Sequence, residues 1–331
     1  MQVRKYKMSM IQDTEFPQPY EKSFLEVGDG HKIYVEQIGN PKGVPFVFLH
    51  GGPGSGCQQN HRSLFDNENI RAILFDQRGA GKSLPKRSLI NNTTQALIAD
   101  MEFIRKKFNI KKWAVVGGSW GSTLGLAYAQ NYNSYVSGLI LRSIFLGTKK
   151  DIVWAFETAA KIFRPELWSK WINLLNNSEK NNPIKSYGIR LESSDKNVSS
   201  SAALIWSIYE TILSQIDSNS INFPSSINDK IFNSKNIEPN TPYFEWHYIK
   251  NNFFLNDNEL VDNVFKLNDI PGSIIQGRYD ILCPPINAFK ISENWKRGKL
   301  IIVDEGAHSA NADPMRGALI NAIKDISIKL F

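Results

Sequence analysis

A serine set among glycines gives the chain a candidate nucleophile at Ser119, within Gly-Gly-Ser-Trp-Gly. The apolar run Trp113–Val116 before it predicts a strand, and the small-residue run Ser122–Ala129 after it predicts a helix. Glycines on both sides allow the sharp strand-to-helix turn that holds a serine hydroxyl out at the end of a sheet. A glycine-rich run can also form a plain tight turn, so the assignment depends on whether a base and an acid follow.

Two later strands supply these partners. The apolar segment Gly272–Gln276 leads into Asp280, and Lys299–Val303 leads into His308. Loops at the strand ends of an α/β sheet gather functional side chains. The chain order Ser119, Asp280, His308 is the order of α/β hydrolases, and it differs from the orders of chymotrypsin-like and subtilisin-like proteins. The sequence therefore predicts a serine hydrolase triad.

The acid of this triad has alternatives. Asp280 could instead cap the helix that follows it, a common role for aspartate. Asp304 or Glu305 could orient His308, but residues so close in sequence cannot easily fold back onto the far ring nitrogen. Of the five histidines, only His308 follows a late core strand. We prefer Asp280 as the acid.

Attack by Ser119 creates an oxyanion, which needs preorganised hydrogen-bond donors. The backbone N–H of Trp120 is one candidate, because it directly follows the nucleophile. The other is a backbone N–H of the loop His50–Gly54, which follows an early strand, and we assign it to Gly52. The turn beginning with Asp76-Gln77-Arg78 is interpreted as support for that loop, without a direct catalytic role for Arg78.

The elements that position these residues follow an α/β pattern. Phe24–Glu36 has the signature of a β-hairpin around a glycine turn, and short apolar runs then alternate with helical patterns. A continuous apolar run suits a strand covered on both faces, so the sheet is expected to be mostly parallel. The further expected strands are Pro45–Leu49, Ile70–Phe75 and Tyr135–Ile144, and a helix is expected where Leu97, Met101, Ile104 and Phe108 form one apolar stripe.

Residues 145–265 differ from the rest because tryptophans cluster there and no clear strand pattern occurs. We interpret this region as an inserted helical cap. The core is predicted as residues 1–144 and 266–331, with a closing helix from about Met315 to Leu330. The polar stretches Glu192–Ser201 and Gln215–Ser226 are interpreted as cap loops.

Composition narrows the function. The 331 residues are 42% hydrophobic and 21% charged, enough for a large core. The formal charge of +7 does not predict nucleic-acid binding, because no basic stripe interleaved with aromatics occurs. No segment suggests a membrane span or a signal peptide, so a cytoplasmic location is expected. Cys57 and Cys283 match no metal spacing, and neither a metal nor a cofactor is expected.

Beyond the triad, several motifs resemble the bacterial proline iminopeptidases, and this resemblance covers nearly the whole chain. These motifs are His50–Gly54, Asp76–Ser83, Gly117–Leu124, Leu141–Leu146 and Gly277–Asp280. The resemblance implies a serine peptidase of the α/β-hydrolase fold that releases proline from the N-termini of small peptides.

The resemblance also implies that two cap glutamates, Glu210 and Glu245, bind the cationic N-terminus of the substrate. An exopeptidase must measure a fixed distance from the amine to the scissile carbonyl, and carboxylates in an aromatic cap suit that task. Alternatively, both could be ordinary solvated helix charges.

Four positions depart from the pattern of that family. Tyr209, Trp246 and Ile249 stand in the cap motifs and predict a reshaped proline pocket. Ala307 stands where glycine is common, and a positive φ there would cost about 1 kcal/mol.

Two other functions stay open from the residues. A carboxylesterase or amide hydrolase could use the same triad without needing a free amine. A non-catalytic binding protein could share the scaffold, although the complete triad argues against it. A dehalogenase or epoxide hydrolase is disfavoured because serine, not aspartate, occupies the elbow. The sequence does not indicate the oligomeric state.

Overall fold

An eight-stranded sheet forms the centre of the protein in the computed structural model, which describes residues 16–65, 68–217, 221–224, 239–311 and 313–331. The strand order is β1-β2-β4-β3-β5-β6-β7-β8. The strands are β1 Glu21–Gly28, β2 His31–Gly39, β3 Val44–Leu49, β4 Ile70–Phe75, β5 Trp113–Ser119, β6 Val136–Ile144, β7 Gly272–Gly277 and β8 Gly298–Val303.

The sheet is antiparallel only at one edge. β1 pairs antiparallel with β2 and β2 with β4, whereas β3 to β8 pair in parallel. The predicted hairpin and the mostly parallel sheet are both confirmed. Because parallel strands point the same way, the ends of β3, β5, β7 and β8 meet at one edge, where the candidate side chains follow.

Helices cover both faces of the sheet, which explains the continuous apolar runs of its central strands. Along β3, Val47 and Leu49 face one side while Phe46 and Phe48 face the other. The first side packs against α2 Thr94–Lys107, α3 Trp120–Asn131 and α11 Pro285–Glu293, and the second against α12 Met315–Leu330. The short helix α1 spans Gln59–Arg62, and a 3-10 turn spans Ser63–Phe65.

Between β6 and β7 the described residues form helices and no strand. This agrees with a helical insertion, while the limits 145–265 stay a prediction. The helices are α4 Lys149–Val153, a π-helical turn Trp154–Thr158, α5 Ala159–Phe163, α6 Pro165–Asn173, α7 Pro183–Leu191, α8 Lys196–Leu213, α9 Thr241–Lys250 and α10 Glu259–Asp262, with 3-10 turns at Glu179–Asn181, Asn252–Phe254 and Val264–Leu267.

One loop prediction is wrong. The stretch Glu192–Ser201 contains the start of α8, which Asp195 caps by accepting a hydrogen bond from the N–H of Asn197. The first turns are mostly polar because they face solvent, whereas the later turns bury one face, which begins with Ala202 and Ala203. Of the other polar stretch, Gln215–Ser226, residues 218–220 and 225–226 lie outside the described residues. No helix of the described residues is long and apolar enough to cross a membrane.

Candidate active site

Ser119 sits at the turn from β5 into α3, with φ 57° and ψ −127°. This left-handed backbone is strained for a residue with a side chain. Close packing on both sides of Ser119 holds this backbone in place. A Cβ atom added to Gly117 would lie 2.2 Å from the carbonyl oxygen of Gly121. A Cβ atom added to Gly121 would lie 2.2 Å from the carbonyl oxygen of Leu49. Glycine is therefore required at both positions, and the predicted elbow geometry is present.

Asp280 and His308 lie together although 28 residues separate them. Both carboxylate oxygens of Asp280 are 3.0 Å from His308 Nδ1, and the backbone N–H of Cys283 donates to Oδ1 at 2.8 Å. Burial of Asp280 favours its neutral form, but the charge and hydrogen bond of His308 and the N–H of Cys283 outweigh this and lower its pKa. Asp280 therefore stays ionised and fixes the ring of His308. Asp304 instead pairs with Arg278 at the surface.

Arg142, on β6, was given no role from sequence, but the structure places its guanidinium beside the elbow. Nη1 donates to the backbone carbonyl of His308 and, at 2.8 Å, to Ser143 Oγ. A Cβ on Gly118 would lie 2.5 Å from Nη2. The available signal was an arginine in an otherwise apolar strand. Arg142 ties the histidine loop to the strand beside the nucleophile.

The loop after β3 reaches the nucleophile. A Cβ on Gly51 would lie 3.7 Å from Ser119 Cβ, and Gly52 has φ +108°. Both Gly52 and Ser119 line the same cavity. The N–H of Trp120 lies at the start of α3, where backbone N–H groups have no intrahelical partner. These positions are compatible with the two predicted oxyanion donors.

Gln77 connects this loop to the elbow. Its side chain donates to the carbonyl of His50 at 2.9 Å and accepts from the indole N–H of Trp120 at 2.8 Å. His50 is fully buried, and burial lowers its pKa. Arg78 pairs with Asp100 and Asp29, away from Ser119. The turn therefore supports the loop structurally, as the sequence suggested.

Glu210 on α8 and Glu245 on α9 lie side by side over the same cavity as Ser119 and His308. Glu245 is only 5% exposed, so it is not a solvated helix charge. Its Oε2 has no hydrogen-bond partner among the described residues, and the indole N–H of Trp206 faces the carboxyl outside hydrogen-bond geometry. The backbone N–H of Ser309 donates to the carbonyl of Ser214 at 3.1 Å, which joins the histidine loop to the end of α8.

The pKa values of both glutamates are raised. For Glu245, burial is the largest cause and the nearby charge of Glu210 adds to it, so its pKa lies well above 4.5. For Glu210, burial raises the pKa, while its hydrogen bond with Glu245 and the charge of His308 oppose the shift. Two carboxylates this close cannot both ionise cheaply. The pair therefore tends to retain a proton, and this tendency is stronger at Glu245 than at Glu210.

Below the glutamates the cavity is apolar, and its wall includes one of the three cap departures, Ile249. Tyr209 lies instead within the cap, where its ring is stacked on that of Trp171 with 4.5 Å between the centroids, and Trp246 lines a separate groove. The apolar lining residues are Phe145, Ile152, Ala155, Phe156, Ile249, Phe253 and Leu282. Ala307 is not among the described residues that have a positive φ, so the strain considered there is absent.

Asp280, Cys283 and His308 place one potential metal-ligand atom each within 4.8 Å of one another. The arrangement does not favour a metal, since Asp280 already holds His308, and burial raises the pKa of the Cys283 thiol well above its ordinary value. Cys283 also lines the apolar cavity, close to Ser119.

Comparison with known proteins agrees with this geometry. The alpha/beta hydrolase fold family matches residues 44–314. The chain is 40% identical to a proline iminopeptidase of Arabidopsis thaliana, over 92% of this chain and 79% of that protein, and 37% identical to one of Neisseria gonorrhoeae, over 96% and 99%. Among solved structures, an esterase from Exiguobacterium antarcticum has a TM-score of 0.62 at 19% identity, covering 92% of this chain and 99% of that one. The proline iminopeptidase of Mycobacterium smegmatis has a TM-score of 0.60 at 17% identity, covering 94% and 100%. These structures support the fold.

Proposed function

The chain belongs to the proline iminopeptidase family of the α/β-hydrolase fold, and we propose that it releases N-terminal proline from small peptides through an acyl-enzyme on Ser119. One observation carries the proposal. Ser119 opens onto a small apolar cavity whose far wall carries the buried carboxyls of Glu210 and Glu245. An apolar cavity whose lining includes two carboxyl groups suits a residue with a free amine.

In this proposal His308 takes the proton of Ser119 as the hydroxyl attacks the prolyl carbonyl, and later gives it to the leaving amine. Asp280 keeps the proton of the neutral ring on Nδ1, so that Nε2 is free to act as the base. It also stabilises the imidazolium that forms. Water then attacks the prolyl ester by the same steps in reverse order, releasing proline.

The oxyanion of each tetrahedral intermediate is held by the backbone N–H groups of Gly52 and Trp120. Losing one such donor typically costs about 3 kcal/mol in the transition state. The Gln77 bridge contributes by keeping the two donors at a fixed separation, since it binds both the loop and the indole of Trp120.

Glu210 and Glu245 hold the amine. A protonated N-terminal proline carries two N–H donors, which matches two carboxyl groups. The unpartnered Oε2 of Glu245 gains a hydrogen bond when the amine arrives, and the incoming positive charge displaces the retained proton. The apolar wall, with Ile249 and Phe156, packs the pyrrolidine ring.

A carboxylesterase or amide hydrolase with the same triad is the second candidate, and the esterase fold similarity keeps it relevant. Hydrolysis of the 2-naphthylamides of proline, N-acetylproline, alanine and leucine separates the two, with Ser119→Ala as the control. Strong preference for free proline, lost in the control, supports the iminopeptidase. Comparable turnover of N-acetylproline refutes it and supports the broader hydrolase. Absence of Ser119 labelling by a fluorophosphonate would indicate a non-catalytic protein. The cytoplasmic location stays a prediction.

A further inference from the structure

A second cleft adjoins the apolar cavity at Ser119. Ser119 and His308 line both spaces, so the reacting carbonyl must lie between them. The second cleft lies between the core, at the loop after β3 and the start of α12, and the inserted helices, where Glu210 on α8 is part of its lining. Its wall includes Arg142, Arg316 and His61. The leaving part of a substrate has this cleft available to it.

The two arginines in this wall form no ion pair with any described carboxylate. Arg142 donates to the carbonyl of His308 and the hydroxyl of Ser143, and Arg316 to the carbonyl of Asn60 at 2.8 Å and the hydroxyl of Ser63 at 2.7 Å. These bonds use Nη1 of Arg142 and Nη2 of Arg316, which leaves other N–H groups of both guanidiniums for a ligand.

Two acids act on these arginines through their charges, but neither forms a direct ion pair with them. Asp280, which acts on Arg142 through its charge, is bonded to His308. Asp313 interacts with Arg316 through its charge, and its carboxylate accepts a hydrogen bond from the backbone N–H of Gly317. Burial lowers the pKa of both arginines, so they are partly desolvated cations, and no described carboxylate is in direct contact with either. Such a group costs free energy until an anion joins it.

His61 adds a neutral donor. The Nδ1 atom of His61 accepts a hydrogen bond from the backbone N–H of Gln58 at 3.0 Å. The proton of the neutral ring is therefore on Nε2, which has no hydrogen-bond partner among the described residues. Burial and the neighbouring charges of His50, Arg316 and Arg142 lower its pKa to about 3. The ring therefore stays neutral and can donate one hydrogen bond into the cleft.

We propose that Arg142, Arg316 and His61 form a receptor for the C-terminal carboxylate of a short peptide. This rests on the proposed function, because it takes the leaving group to be a peptide. Glu245 lines only the apolar cavity, Arg142 and Arg316 line only the second cleft, and Glu210 lines both. The site thus fits a short zwitterion with its scissile bond between the two charges. Amidation of the C-terminus removes the ligand of the cationic end.

The first test compares kcat/KM for Pro-Gly, Pro-Gly-Gly and their C-terminal amides with the wild-type enzyme. We expect amidation to lower kcat/KM by about tenfold or more at the preferred length. Equal values for acid and amide at both lengths overturn the proposal. Pro-Asp-NH2 shows whether a side-chain carboxylate can serve instead, in which case its kcat/KM exceeds that of Pro-Gly-NH2. Proline 2-naphthylamide reports the proposed function separately, since it has a free amine and no carboxylate.

The second test replaces Arg316, which lies farther from the triad than Arg142. In Arg316→Gln the ratio of kcat/KM for acid over amide should fall towards one, and in Arg316→Lys it should stay closer to the wild-type ratio. Arg297→Gln, at an exposed arginine, is the matched control and should keep the wild-type ratio. Equal losses on acid and amide in Arg316→Gln would mean that the residue only supports the fold. If Arg316→Gln does not fold, the comparison of acids and amides with the wild-type enzyme still decides.

Discussion

Replacing Glu245 by glutamine should stabilise the protein at neutral pH and weaken its use of a free N-terminal amine. Glu245 is buried beside Glu210, and burial raises its pKa well above 4.5. Glutamine has nearly the same shape as the protonated carboxyl and never ionises. The substitution therefore removes a charge that folding makes costly and that the proposed amine site uses.

The stability effect has a defined sign. Because the folded pKa is raised, the folded protein binds the Glu245 proton more tightly than the unfolded chain. The stabilisation that this supplies is complete below the ordinary value of 4.5 and is lost as pH rises towards the folded pKa. The loss approaches about 1.4 kcal/mol per pH unit. The free energy of unfolding of Glu245→Gln, relative to wild type, should grow at that rate above 4.5 and then level off.

Urea unfolding at several pH values between 4.5 and 8.5 measures this difference. Glu166→Gln is the control, since Glu166 is exposed on α6 of the same cap. The free energy of unfolding of Glu166→Gln should change with pH in the same way as that of the wild type. If the Glu245→Gln curve is also parallel to the wild type, Glu245 titrates normally in the folded protein and the retained-proton argument is wrong.

Activity supplies the second half of the test. Losing one charge-assisted hydrogen bond to the amine should lower kcat/KM on free prolyl peptides by about 1.5 to 3 kcal/mol, or roughly 10- to 150-fold. An N-acetylated substrate should be insensitive. The wild type should follow a bell-shaped pH profile, rising as the pair loses its proton and falling as the amine loses its charge at about pH 8 or above. Equal losses on free and acetylated substrates would mean that Glu245 supports the cap only.

Three further substitutions or modifications test the rest of the site. In Gly52→Val the added Cβ would lie 2.7 Å from the backbone N of Gly54, at a residue whose φ is +108°. We therefore expect kcat to fall by about 100-fold while a fluorophosphonate still labels Ser119. A normal kcat would exclude Gly52 from the oxyanion site. Gln77→Leu leaves the indole N–H of Trp120 and the buried carbonyl of His50 without a hydrogen-bond partner. Thermal unfolding should then show a loss of stability of about 1 to 3 kcal/mol for each group. Unchanged stability would contradict the bridging role of Gln77. Bulky thiol reagents should react slowly with buried Cys283 and then block the apolar cavity; complete labelling of both cysteines with full activity would contradict this.

The sequence by itself indicated the strands, the elbow and the chain order of the candidate triad. These depend on local patterns: an apolar run covered on both faces forms a strand, and only glycine fits at positions 117 and 121. The acid and base could be located because each follows a strand, and parallel strands end at one edge. The start of α8 was missed because its first turns face solvent and lack an apolar stripe.

Only the tertiary structure decided which distant side chains meet. Packing of α8 against α9 brings Glu210 close to Glu245, and desolvation raises the pKa of both carboxyl groups. The carbonyl of His308 lies 166 residues from Arg142 in sequence, and their contact exists because only β7 separates β6 from β8, the strand that leads to His308. Charge, burial and pKa depend on such long-range neighbours. No local pattern encodes them, because the low-dielectric surroundings that shift a pKa exist only after the chain has folded.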